Sequence, residues 1–181
     1  DYWSEKIRKS ILLDSKADIL VCGMGERAVK EIAESFSRGE FPRGVRGTAV
    51  YSGWKSLKDR IPENSIELPS HEAVVDNPEA FMEMARIIER ESSPWSASPL
   101  LQRTDNRAVL ACPPSFPLST DEMDRLHELP FVREPHPSYR REIPAFTMIR
   151  NSVTAVRGCS GGCSFCALGL HQGRMITSRS R

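Results

Sequence analysis

Residues 152–166 read Ser152-Val153-Thr154-Ala155-Val156-Arg157-Gly158-Cys159-Ser160-Gly161-Gly162-Cys163-Ser164-Phe165-Cys166. The β-branched run Ser152 to Val156 predicts a strand, and a loop with three cysteines begins at its C-terminal end. The spacing is CxxxCxxC, with an aromatic just before the third cysteine and two glycines inside the loop. Three thiolates can hold three irons of a four-iron, four-sulfur cubane, leaving the fourth iron without a protein ligand from this motif. An open iron can bind a small molecule and pass it an electron, whereas four cysteine ligands leave only outer-sphere electron transfer. The glycines let the backbone wrap closely around a cluster and aim amides at its sulfides. In a βα barrel the active site sits at the C-terminal ends of the strands, which is where this loop falls.

Two plainer chemistries use the same residue types. Structural zinc sites pair a CxxC with a second, distant pair; Cys163 and Cys166 could supply the first, with Cys159 and His171 as the second. Bacterial ferredoxins use CxxCxxC with a remote fourth cysteine, and the first gap here is one residue too long for that pattern.

The cysteine run resembles the signature of the radical S-adenosylmethionine (SAM) superfamily, CxxxCxφC with φ aromatic, here Phe165. The stretch Ile143 to Arg181 is similar to the YgiQ-type members, as are Ser10 to Glu34 and Pro135-His136-Pro137-Ser138-Tyr139. The resemblance implies a [4Fe-4S] cluster held by Cys159, Cys163 and Cys166, with SAM chelating the open iron. One-electron cleavage of the sulfonium then yields a 5′-deoxyadenosyl radical that abstracts hydrogen from a substrate. It also implies that the Phe165 backbone lies beside the cofactor adenine, and that a flavodoxin- or ferredoxin-type donor supplies the electron. The substrate, and the residues that relay the radical, are not indicated. Arg174 and His171 follow the loop by less than two helical turns. They read equally as a helix end stopped by Gly173 and as residues near the cluster or the cofactor carboxylate.

Upstream, Trp3 to Asp14 reads as a helix and Ala17 to Cys22 as a buried strand. Glu26 to Ser37 reads as a helix with a core face of Val29, Ile32, Ala33 and Phe36. The turn Gly23-Met24-Gly25-Glu26-Arg27-Ala28 fits a weak dinucleotide fingerprint. The acid that should end the next strand is absent at Tyr51-Ser52, so a structural turn is favoured. Gly47 to Ser52 and Arg107 to Cys112 read as further strands. Asn77-Pro78 opens a helix with an apolar stripe of Phe81, Met84, Ala85 and Ile88. Ser119 and Glu122 form a capping box for a helix carrying Met123, Leu126 and Leu129. Cys22 and Cys112 read as buried hydrophobes at strand ends, and His136 as a residue of an extended arm.

The alternation predicts an α/β fold with mainly parallel strands: the tail of an N-terminal Rossmann-like domain, then the first βα unit of a radical SAM barrel, truncated. Nine of the 13 prolines lie between Pro94 and Pro144. They predict a surface loop over Ser92 to Asn106 and an extended arm from Pro130 to Pro144. The expected organisation is a partial α/β domain over 1–129, a proline-rich connection over 130–150 and the start of the radical SAM core over 151–181. The strand–glycine–glutamate–helix pattern also resembles the last units of a cobalamin-binding-like domain, but the histidine loop that would ligate cobalt is not in this segment. With no initial methionine and few residues after the cysteines, the chain reads as an internal fragment, expected to bind SAM weakly or not at all on its own.

Composition bounds the rest. There are 25 Lys and Arg against 24 Asp and Glu, a formal net charge of +1, which gives no support for a polyanion surface or a nucleic-acid partner. No apolar run approaches the roughly 20 residues of a membrane helix. Three clustered and two isolated cysteines do not form a disulfide framework, so a reducing cytoplasm is the expected compartment.

Overall fold

Alternation of apolar side chains gives the first part of the chain a two-faced sheet, and helices cover it where their own apolar stripes face inward. A computed structural model describes residues 3–181. In chain order the elements are α1 (Ile11–Ser15), β1 (Ile19–Val21), α2 (Glu26–Ser37), β2 (Thr48–Gly53), α3 (Trp54–Leu57), β3 (Ile66–Leu68), α4 (His71–Asp76) and α5 (Pro78–Arg90). There follow β4 (Leu100–Thr104), β5 (Arg107–Ala111), α6 (Thr120–His127), α7 (Pro144–Ile149), β6 (Val156–Arg157), α8 (Leu168–Gln172) and β7 (Thr177–Ser178). The chain forms two compact units, residues 1–116 and 117–181.

In the first unit five strands lie in the order β1-β2-β5-β4-β3. The period-2 rule sorts their side chains. Ala49 and Val109 pack on one face with Leu12 and Leu13 of α1, while Ala108, Leu110 and Leu101 pack on the other with Leu57. β5 is central and the most buried strand. Its hairpin partner β4 joins through a two-residue turn in which Asp105 takes φ +51°, a conformation short polar residues tolerate.

Several expectations are corrected here. The sheet is mixed, not mainly parallel: β1–β2, β2–β5 and β4–β5 are antiparallel and only β3–β4 is parallel. A parallel pair needs a long crossover, and only α4 and α5 provide one. The stretch expected to be a loop over 92–106 contains β4; its Leu101 and Thr104 are buried, but Gln102 and Arg103 broke the apolar run. The helix expected over Trp3–Asp14 is confined to Ile11–Ser15 and ends where Lys16 takes φ +56°. α2 has the expected bounds, but it buries Ala28 instead of the expected stripe, leaving Val29 57% and Phe36 53% exposed. Cys22 is exposed and Cys112 half-buried, so neither is a core residue.

The helix signals read from caps hold. The Asn77 side chain accepts from the Glu79 amide with Pro78 at the first helical position. Ser119 and Glu122 exchange both bonds of the capping box. These caps satisfy amides the first helical turn leaves without partners. The glycine turn after β1 is structural. Gly23 takes φ +72°, and a Cβ on Gly25 would stand 2.6 Å from the Val21 side chain. Because β2 runs antiparallel to β1, no βαβ unit forms there and the dinucleotide reading has no scaffold.

In the second unit Met123 of α6 is fully buried. The proline-rich stretch from Pro130 to Ile143 has neither helix nor strand. The expected strand over 152–156 is shorter and later, reduced to Val156–Arg157, and it pairs antiparallel with β7.

Candidate functional site

The cysteine loop leaves β6 at Gly158 and returns through α8 to β7, so the two-strand ladder closes its base. Val156 faces Ser178 and Arg157 faces Thr177 in that ladder. The Arg179 amide donates to the Ala155 carbonyl at 3.0 Å, and the Cys159 amide to the Gly173 carbonyl at 3.0 Å. The Gly158 amide donates to Gln172 Oε1 at 3.2 Å. Gly158 itself takes φ +91°, and a Cβ there would overlap the Met175 carbonyl group. Only glycine fits at this crossing.

Within the loop Cys159 is half-buried, while Cys163 and Cys166 are exposed. A Cβ on Gly161 would stand 3.4 Å from Cys159 Sγ and 3.6 Å from Cys163 Sγ. The two sulfurs are thus no farther apart than the sum of those distances, and the missing Cβ keeps the space between them clear. The Cys166 amide donates to the Cys163 carbonyl at 3.1 Å, making a tight turn between the second and third cysteines. Among the described residues no group of three or more His, Cys, Asp or Glu side chains stands together closely enough to hold a metal ion. The loop therefore brings Cys159 and Cys163 around one point but does not gather Cys166 or His171 with them. The donor set suits an iron–sulfur cluster: thiolates are its usual ligands, two of the three thiols face outward, and Gly161 leaves room between the first two.

Phe165 is 91% exposed, so it fills no core in this chain. His171 and Arg174 are both exposed, and Gly173 ends α8 with φ +88°. This matches the helix-end reading, one of the two that the sequence offered. His136 bonds Ser138 Oγ through Nδ1 at 2.8 Å, a local contact within the arm. All five cysteines are free. Burial pushes the Cys112 thiol up.

Sequence reasoning missed Asp124 and Arg179. Arg179 Nε stands 3.5 Å from Asp124 Oδ1. The Ser180 amide donates to the same carboxylate at 3.1 and 3.3 Å. The side-chain hydrogen bond of Ser180 leads the causes that hold the Asp124 carboxyl below its usual range, and Arg179 adds to them. No local pattern signals this contact, since 55 residues separate Asp124 from Arg179.

Comparison with known proteins gives the family. The family model "Radical SAM N-terminal" matches residues 1–152, ending just ahead of the cysteine loop, and the chain belongs to that family. It is 44% identical to a UPF0313 protein of Rhodopseudomonas palustris and 47% identical to one of Geobacter sulfurreducens, each over 99% of this chain and 30% of the relative. A UPF0313 protein of Thermotoga neapolitana is 47% identical over 100% of this chain and 32% of its own length. The chain thus spans about a third of the curated relatives it matches. No solved structure matches it significantly. No helix among the described residues is long and apolar enough to cross a membrane.

Proposed function

We propose that the full-length protein containing this chain is a radical SAM enzyme, with Cys159, Cys163 and Cys166 as the protein ligands of a [4Fe-4S] cluster. The observation that carries this is the succession along the chain: a radical SAM N-terminal match to residue 152, then a glycine-bearing CxxxCxxC loop closed at its base. When bound, the cluster would supply one electron to the sulfonium of SAM, and the hard chemistry is the cofactor's.

The chain's own residues supply ligation and placement. Gly161 keeps side-chain atoms out of the space between Cys159 and Cys163. Gly158 and the β6–β7 ladder hold the two ends of the loop together. The exposed Phe165 backbone is available beside the adenine, and Arg174 is the nearby cation for a cofactor carboxylate. An electron donor of flavodoxin or ferredoxin type, and a substrate bound by other parts of the full-length protein, complete this reading. Five free thiols suit a reducing cytoplasm.

Metal and sulfide analysis of the full-length protein, purified and reconstituted without oxygen, tests it. About four irons per chain, and none in the triple variant with Cys159, Cys163 and Cys166 all changed to alanine, is the expected result. Zinc without iron would identify the loop as a structural staple, and iron retained by the triple variant would place the cluster elsewhere.

A further inference from the structure

We infer that Asp124 is a positioning residue for the cysteine loop, tying the return strand β7 to α6 and so holding the loop closed. The inference rests on the cluster reading above, but its physical basis is separate. A two-residue ladder is too short to be stable alone, so β6–β7 needs an external support. Three contacts to α6 provide it within the same compact unit. Asp124 accepts the Ser180 amide with both oxygens. It pairs with Arg179, both side chains being largely removed from solvent at 20% and 30% exposure. One residue earlier, the Thr177 hydroxyl meets Met123 Sδ at 3.3 Å, and Met123 is fully buried.

The consequence runs through the backbone. Arg179 is the residue whose amide bonds Ala155, just before β6. Fixing Arg179 and Ser180 on α6 therefore fixes the far end of the ladder that begins the loop. Gly158 then meets Met175, and the Cys159 amide meets the Gly173 carbonyl. α6 is itself anchored by its capping box and by Met123, so it is a firm support. Asp124 touches no cysteine; it acts through β7.

The test uses the full-length protein in two arms. In the first, amide hydrogen exchange is measured without metal on the parent, Asp124→Ala and Asp124→Asn. Loss of a charge-assisted contact set should speed exchange of the Cys159 and Arg179 amides about tenfold in Asp124→Ala. The β5 amides, in the other unit, should be unchanged. Asp124→Asn keeps an acceptor for the Ser180 amide and should fall between the two. In the second arm, iron loss to a chelator is timed after reconstitution, with Asp124→Ala losing iron several-fold faster than the parent. Unchanged Cys159 exchange, or faster exchange spread equally over β5, overturns the inference. So does unchanged iron retention in Asp124→Ala. If the parent takes up no iron, the cluster reading fails, and the exchange arm still decides whether Asp124 holds the loop.

Discussion

Replacing Gly158 by alanine should sharply reduce cluster assembly while leaving all three cysteines in place. Gly158 sits between β6 and Cys159 with φ +91°, a region where side-chain-bearing residues are strained by about 1–3 kcal/mol. The new methyl would also stand 2.7 Å from the Met175 carbonyl carbon and 3.2 Å from Ile176 Cα. Both are backbone atoms, so neither can rotate away. Against this strain stand the bonds at the loop base: Cys159 to Gly173, Arg179 to Ala155, and the two residue pairs of the ladder. Each contributes about 1 kcal/mol net. Strain and overlap together are comparable to that whole set, so the base should open before the rest of the unit unfolds. The closed population should fall by about one to two powers of ten, since about 1.4 kcal/mol is a factor of ten. Gly162→Ala is the control: it carries φ +62° but has nothing within 4 Å of its Cβ position, so it meets strain without overlap and should load more iron than Gly158→Ala. The assay is iron per chain after anaerobic reconstitution of the full-length variants, with melting curves to confirm folding. Full iron loading in a folded Gly158→Ala protein would refute the reasoning.

Other expected outcomes concern stability and binding. Leu12→Ala removes a side chain that is 1% exposed and packs against Ala49 and Val109; it should cost about 2–5 kcal/mol in chemical denaturation. Ser119→Ala removes the hydroxyl that accepts from the Glu122 amide, one of the two bonds of the α6 capping box, and should cost about 1 kcal/mol. Glu72, Asp105 and Asp124 are all held below the usual carboxylate range: Glu72 first by the Asp105 amide, Asp105 by the Lys9 ammonium and Asp124 by Ser180. Because these folded-state values are depressed, their stabilisation is fully present above the unfolded value of about 4 and is lost as pH falls through the folded values. Acid titration should therefore show stability flat near neutrality and falling below about pH 4. The isolated 181-residue chain should bind SAM weakly or not at all, and micromolar binding by titration calorimetry would contradict that.

What could be read from residue order was local. Asn77-Pro78 and the Ser119–Glu122 pair marked helix starts correctly, because a cap is a contact over two or three residues. The glycine turn at 23–25 was likewise readable as structural. What escaped was set by distant partners. Sheet direction depends on which strands meet, and β5 collects one antiparallel neighbour from 54–62 residues before it and another from an adjacent hairpin. β3 and β4 were missed because they are short and carry Glu67, Gln102 and Arg103 in the run. The α2 stripe was a true periodicity, yet the face it defines is left exposed in this unit. At the site, the cysteine spacing and the Gly173 stop were visible, whereas the closing strand β7 and its tether to Asp124 were not. A two-residue strand has no period to detect.

The central claim is that the cysteine loop holds a cluster with an open iron that takes SAM. Electron paramagnetic resonance of the reduced, reconstituted full-length protein, recorded with and without SAM, tests it most directly. A reduced-cluster signal that shifts on adding SAM, and is absent when Cys159, Cys163 and Cys166 are replaced, is the expected result. A signal indifferent to SAM would make the protein an electron carrier, and no signal from a folded, zinc-loaded protein would contradict the claim outright.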